Sequence, residues 1–289
     1  MNKLLIVGCG DIALRALPAL VRGYRVCGLV RTAEKAAQIK ALGADALLGD
    51  LDQAQSLQEI AYGADLVLHL APPPDAGDGD ARCANLIAAL TKRPPQGLVY
   101  ISTSGVYGDC RGERVDEDRA PAPLSARGER RVAAERVLLE WGARCGSRVT
   151  VLRVPGIYAA ERLPLAYIRR GLPVLRAEDD IYTNHIHADD LALICQLALE
   201  RGGAGRIYNA SDDGELKMGD YFDLVADRAR LPRPPRVARA EAEAGAISEG
   251  MMSFMRESRR LMNARMKSEL GVQLRYPTVY VGVPQVIAG

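Results

Sequence analysis

Eleven residues near the amino terminus, Lys3-Leu4-Leu5-Ile6-Val7-Gly8-Cys9-Gly10-Asp11-Ile12-Ala13, govern how the rest of the chain is read. Leu4 to Val7 is an unbroken apolar run, the pattern of a strand buried on both faces. It ends in glycines and passes directly into a helical stretch, a G-x-G-x-x-G/A arrangement at a first strand–helix turn. Gly8 allows the tight turn and Gly10 lets a diphosphate approach the backbone, while Ala13 is small enough for the helix to pack on the strand. The helix start at Asp11 and Ile12 offers free N–H groups to an anion. At this place in a strand–helix–strand unit the turn predicts a dinucleotide site; without a ligand it would be only a tight turn.

Outward from it, apolar runs and helical stretches alternate. RVCGLVR (25–31), DLVLHLA (65–71), GLVYISTS (97–104) and VTVLRV (149–154) read as strands. TAEKAAQIKALG, ARCANLIAALTKR and a long amphipathic stretch from Ser125 to Gly146 read as helices, the last with Val132, Val137, Leu138 and Leu139 as its apolar face and Arg/Glu pairs on the wet side. The predicted fold class is α/β, a Rossmann-type doubly wound parallel sheet. The texture changes after Pro155, so residues 1–154 are expected to form the nucleotide-binding domain and 155–289 a smaller substrate-binding region. Segments between about 181 and 212 are expected to return to the core. Met218 to Arg230 reads as a helix, and 231–270 as a lid or pocket wall.

Composition excludes several classes. The chain has 289 residues, 38 Lys+Arg against 36 Asp+Glu, and a net charge of +2, with no basic footprint for nucleic acid. No apolar run reaches membrane-spanning length, and the first apolar run breaks too early for a signal peptide. The six cysteines (Cys9, Cys27, Cys83, Cys110, Cys145, Cys195) form no C-x-x-C pair, and free thiols fit a cytoplasmic protein. The three histidines lack metal-ligand spacing, so no metal is expected. Cys9, inside the turn, reads as a small filler residue.

The end of the second strand discriminates between nicotinamide cofactors. A carboxylate there would bind a ribose 2′-hydroxyl and repel a 2′-phosphate. Arg31 and Thr32 stand there instead, and a guanidinium can take a phosphate bidentately. NADP(H) is therefore expected over NAD(H). Asp50 is placed either to meet the adenine edge or to cap a helix starting near Gln53.

Further along, HLAPPP from His69, STSGVYGD (102–109), VDE (115–117), RVPGIY (153–158), HIHADDLA (185–192) and YNASDD (208–213) follow in order. Together they closely resemble the extended short-chain dehydrogenase/reductase family, which includes nucleotide-sugar epimerases and dehydratases. The resemblance covers nearly the whole chain. It implies a nicotinamide cofactor, a small-molecule substrate and often a homodimer built on two long helices. By that resemblance Gly8, Gly10 and Ala13 form the dinucleotide loop, and His69, Leu70 and Ala71 run past the adenosine ribose. Pro155, Gly156 and Ile157 lie beside the nicotinamide carboxamide. Thr103 is the Ser/Thr that hydrogen-bonds the reacting oxygen; on its own it reads equally as a strand-end Thr bonding local backbone.

The family's Tyr-x-x-x-Lys pair is absent. The stretch reads Arg127-Gly128-Glu129-Arg130-Arg131-Val132-Ala133-Ala134-Glu135, with Arg127 in the Tyr slot and Arg131 in the Lys slot. Arg131 could donate to ribose hydroxyls, but an arginine stays protonated and cannot be the proton-passing base. Two cations here would favour a reduced nicotinamide and an anionic substrate; the alternative is an exposed basic face paired with Glu129 and Glu135. Tyr107, Tyr158, Tyr182, His185 and His187 are the other conceivable proton sources, although His187 and Asp189 read as a structural hydrogen-bonded pair. The expected activity is hydride transfer or epimerase/dehydratase-type chemistry. The alternatives are a non-catalytic NADP(H) sensor, or a scaffold using the 125–146 helix.

Overall fold

In the computed structural model, which describes residues 1–77 and 79–285, seven strands form one parallel sheet. In chain order they are β1 (Lys3–Val7), β2 (Arg25–Val30), β3 (Asp45–Leu48), β4 (Leu66–His69), β5 (Gly97–Thr103), β6 (Arg148–Val154) and β7 (Arg206–Asn209). Their spatial order is β7-β6-β5-β4-β1-β2-β3. The chain thus starts inside the sheet, builds one side, and returns across β1 to build the other. That reversal opens a crevice at the carboxyl ends of the strands, where ligands bind in such sheets.

Both sheet faces are covered, which is why the central strands carry apolar residues at consecutive positions. On one face lie α1 (Asp11–Gly23) and α5 (Ala188–Arg201), packed on each other and on Ile6, Leu68, Val99 and Leu152. On the other lie α3 (Ala81–Thr91) and α4 (Ala126–Cys145), over Val7, Val67, Tyr100 and Val151. α2 (Ala33–Ala41) flanks β2 and β3. α5 packs on α1, and β7 pairs in parallel with β6, from Arg206 opposite Thr150 to Asn209 opposite Arg153.

α4 begins and ends where its sequence says. Ser125 Oγ accepts the Gly128 N–H, and Gly146 closes the helix at φ +74°, a conformation that glycine adopts without strain. Its buried face keeps Leu138 from the expected set, with Val132 and Leu139 partly buried against core clusters, and departs from it at Val137. Ala134, Leu138 and Trp141 point inward at helical spacing, whereas Val137 is exposed. Glu135 is also a correction: it does not pair with the basic helix face but is buried, and Arg153 Nη2 on β6 donates to it at 2.8 Å. A charged pair at that depth is tolerated because each partner neutralises the other, and losing one would cost several kcal/mol, about 3–5.

While Met266, Leu270 and Val272 join the sheet core, much of the remaining chain after β6 packs as a separate cluster. Leu175, Leu216, Phe222, Val225, Met252 and Met255 pack together there, with α6 (Met218–Ala229) and α7 (Glu249–Met255) contributing. All six cysteines are free. No described helix is long and apolar enough to cross a membrane, and no described cluster of His, Cys, Asp and Glu could hold a metal.

Candidate functional site

The glycine turn is held by its surroundings. Gly8 has φ +94°, and a Cβ on it would lie 2.4 Å from the Ala71 nitrogen, so only glycine fits where β1 passes β4. Gly10, by contrast, has nothing within 4 Å of its would-be Cβ. That open space lies directly before the first N–H groups of α1. Ile12 and Ala13 are buried beneath it. Cys9 is a filler in fact: its thiol packs under Gly28, and burial pushes its pKa up to about 12. Asp11 faces outward, its carboxylate held by Arg15 and Arg162 at 2.9 Å each, and these cations keep it below the usual carboxylate range.

A cavity of about 640 Å³ opens beside this turn, floored by Gly8 and Gly10 and walled by Arg31, Asp50, Leu70 and Ala71. Arg31 makes no ion pair among the described residues, and Lys35, in the first turn of α2, lines the same wall. Thr32 Oγ1 caps α2 by accepting from the Lys35 N–H at 3.2 Å. Asp50 corrects the capping expectation. No α-helix starts near Gln53 but a 3₁₀ segment, Ala54–Tyr62, and the Asp50 carboxylate accepts from the Asp52 N–H in a local turn. His69 lies apart from the cavity. Its ring is buried on the α4 side of the sheet against Tyr100, and burial drives its pKa down to about 3.

A second cavity, about 390 Å³, opens at the carboxyl end of β5. Thr103, Arg127, Pro155 and Gly156 line it, so three stretches widely separated in sequence converge there. Ile157 instead pairs with Ile186 and packs into the core. Thr103 Oγ1 accepts from the Gly105 N–H at 3.2 Å, which leaves its own proton free to donate. The local backbone bond therefore coexists with a side chain that lines the cavity.

The two arginines part company. Arg131 Nη1 donates to the Tyr100 hydroxyl at 2.9 Å and the Ile101 carbonyl at 2.6 Å, so it braces the underside of β5. Arg127 makes no ion pair or hydrogen bond among the described residues; its guanidinium lies 5.7 Å from the Phe254 ring centre, over the cavity.

The other proton-source candidates divide similarly. The Tyr107 hydroxyl is given to Asn209 Oδ1 at 2.8 Å, and that of Tyr158 to the Thr278 carbonyl. His187 caps α5 by accepting the Asp189 backbone N–H at 3.2 Å; the Asp189 carboxylate goes to Arg15 rather than to the imidazole. The expected His187–Asp189 pair is thus a backbone cap. Tyr182 and His185 do line the cavity. His185 is buried, and desolvation lowers its pKa to about 3, so it is a neutral ring near pH 7.

Two residues at this site went unread in the sequence, Glu257 and Arg259. Arg259 Nη1 donates to Glu257 at 2.8 Å and to the Gly108 carbonyl at 2.7 Å, and both side chains face the cavity. Their stretch, polar and between short helices, carries no motif; only the 231–270 region as a whole was expected at the pocket wall.

A parallel sheet with a glycine turn at its reversal point defines a Rossmann-type nucleotide-binding protein. More narrowly, the chain belongs to the NAD dependent epimerase/dehydratase family, whose model matches residues 10–211. Its relatives include reductases. It is 26% identical over 269 residues, 85% of this chain and 80% of the other, to 4-hydroxy-2-methyl-3-oxo-4-farnesyl-3,4-dihydroquinoline-1-oxide ketoreductase of Stigmatella aurantiaca. It is 30% identical over 209 residues to GDP-6-deoxy-D-mannose reductase of Pseudomonas aeruginosa, covering 61% of this chain and 69% of that protein. Among solved structures, a conserved protein of unknown function from Silicibacter pomeroyi superposes with a TM-score of 0.81 at 30% identity, covering 98% and 96% of the two chains. UDP-glucose 4-epimerase of Thermotoga maritima superposes at 0.79 with 17% identity over 99% and 97%, a likeness of fold.

Proposed function

We propose that this protein is an NADP(H)-dependent oxidoreductase that reduces a carbonyl group of a small anionic molecule. The observation that carries the reading is Thr103 and the unpaired Arg127 sharing one cavity at the carboxyl edge of the sheet that bears the glycine turn. Two relatives are reductases by name. The bound nicotinamide would supply the hydride to the carbonyl carbon.

The chain's own residues would do the rest. The Gly8–Gly10 turn and the start of α1 would hold the diphosphate, with Arg31, Thr32 and Lys35 around a 2′-phosphate. Pro155 and Gly156 would bound the nicotinamide end. Thr103 would donate its free proton in a hydrogen bond to the carbonyl oxygen, and Arg127 would stabilise the negative charge that grows there. Because a guanidinium does not release its proton near neutral pH, the proton that completes the alcohol would come from water in the cavity. The same property favours reduction over epimerisation or dehydration, which begin by taking a proton from a hydroxyl.

Calorimetry with NADPH and NADH, followed by NADPH oxidation at 340 nm against a carbonyl panel, tests this. NADPH is expected to bind at least tenfold more tightly than NADH. Thr103→Val should lower turnover about 100-fold while leaving NADPH affinity unchanged, the scale of losing one positioned donor. A folded protein that binds neither nucleotide would overturn the reading.

A further inference from the structure

We infer that the cavity beside Thr103 is built for a singly charged anion with an apolar or aromatic body, such as an aryl 2-oxo acid, and not for a nucleoside diphosphate derivative. This rests on the oxidoreductase reading and narrows its substrate.

Charge bookkeeping inside the cavity carries the argument. Its charged side chains are Arg127, Glu257 and Arg259. Glu257 and Arg259 form a 2.8 Å pair whose side chains are only 9% and 10% exposed, so they cancel each other at short range. His185, the cavity's histidine, is uncharged near neutral pH. Arg127 alone is left without an ion pair among the described residues. The surplus is one positive charge. A monoanion balances it; a nucleoside diphosphate would bring at least one further negative charge beside Glu257 with nothing to meet it. Glu257 is nearly buried, so a further negative charge brought beside it is weakly screened and the mismatch is costly.

The walls point the same way. Ile181, Met218, Phe222, Met251 and Phe254 give the cavity an apolar stretch that suits a hydrocarbon or ring, beside the polar side chains of Ser104, Ser125, Thr183, Asn184 and Ser253. Met side chains adapt to ligand shape. In a 2-oxo acid the carboxylate and the carbonyl are adjacent, so Arg127 and Thr103 can each take one.

The test uses the full chain and three probes: benzoylformate, the uncharged acetophenone, and UDP-glucose. Calorimetry is run with and without saturating NADPH on the wild type, Arg127→Gln and Arg127→Lys. Benzoylformate should bind, weaken at least tenfold in Arg127→Gln and recover in part in Arg127→Lys. Acetophenone should bind equally to all three, and UDP-glucose at least tenfold more weakly than benzoylformate. Arg127 is exposed, so these variants should fold. UDP-glucose binding as tightly as benzoylformate, or benzoylformate affinity indifferent to Arg127→Gln, would overturn the inference. NADPH affinity, titrated separately, shows which reading has failed: its absence alongside intact, Arg127-dependent benzoylformate binding sinks the oxidoreductase reading and leaves the anion site standing.

Discussion

The cavity at the glycine turn draws its walls from one continuous quarter of the chain, between Val7 and Arg82, and nearly all of its lining comes from strand ends and the loops that follow them, with Lys35 and Arg82 added from the first turns of α2 and α3. The cavity beside Thr103 instead gathers residues 103–105, 125–128, 155–156, 181–185 and 218–259. The first is dictated by sheet topology, because any parallel sheet that reverses at β1 must open there. The second depends on side chains from segments that meet only after the post-Pro155 part has packed. It follows that the first should respond to backbone changes at single positions, and the second to charge and side-chain chemistry.

The sharpest challenge to that contrast is a pair of glycine substitutions two residues apart. Gly8→Val places a side chain at positive φ and into the Ala71 backbone. It should destabilise the fold by about 3 kcal/mol or more and abolish NADPH binding. Gly10→Ala should leave stability within about 0.5 kcal/mol of wild type, since its φ is −84° and the space around it is open. Yet it should cost NADPH affinity by filling the diphosphate's place. Denaturant unfolding and calorimetry on both variants check this; equal stability of the two would break the topological account of the turn.

A smaller effect is expected from Arg31→Glu at the far wall of the same cavity. Losing a phosphate-binding guanidinium and adding a carboxylate should weaken NADPH by about 2 kcal/mol, roughly 30-fold, and leave NADH within about twofold. NADPH and NADH weakening together would show that Arg31 does not read the 2′-phosphate.

The smallest effect concerns pH and compares the two halves through their buried histidines, His69 behind the first cavity and His185 in the wall of the second. Both have pKa values lowered by burial to about 3, against about 6.5 in an unfolded chain. Above pH 6.5 both states are neutral and nothing is lost. As pH falls from 6.5 towards 3 the unfolded state takes up protons that the folded state refuses, so each histidine costs about 1.4 kcal/mol of stability per pH unit. Asp212 works in the opposite sense. Burial raises its pKa to about 7, so its contribution is full below the unfolded value near 3.8 and is lost as pH rises through 7. Urea unfolding between pH 6 and 4.5 should therefore show His185→Phe less acid-sensitive than wild type by about 1.4 kcal/mol per pH unit. An unchanged slope would mean His185 is protonated in the fold.

How far residues could be read in advance follows the same division. Gly8, Gly10, Ala13 and Arg31 were legible because strand–helix spacing fixes where they stand relative to one another, and α4 was legible from Ser125 to Gly146 because its caps are local. The inward face of α4 is legible at Leu138 and not at two positions: Val137 looks apolar but faces water, while Glu135 looks like surface and is buried against Arg153. Pattern reading assigns charge to solvent and cannot see a partner arriving from β6. Glu257 and Arg259 were invisible for a related reason, since no local spacing marks a residue whose neighbours are Gly108 and Gly105, about 150 positions away.

By itself the sequence determined the alternating strands and helices, the parallel sheet they must form, and the glycine turn at its opening, because short-range sterics and hydrophobic periodicity act between near neighbours. Only the tertiary structure decided which of two similar arginines is free. Arg131 is spent on Tyr100 and Ile101, and Arg127 is left facing a cavity, a distinction made by which groups lie within hydrogen-bonding distance once distant segments have packed.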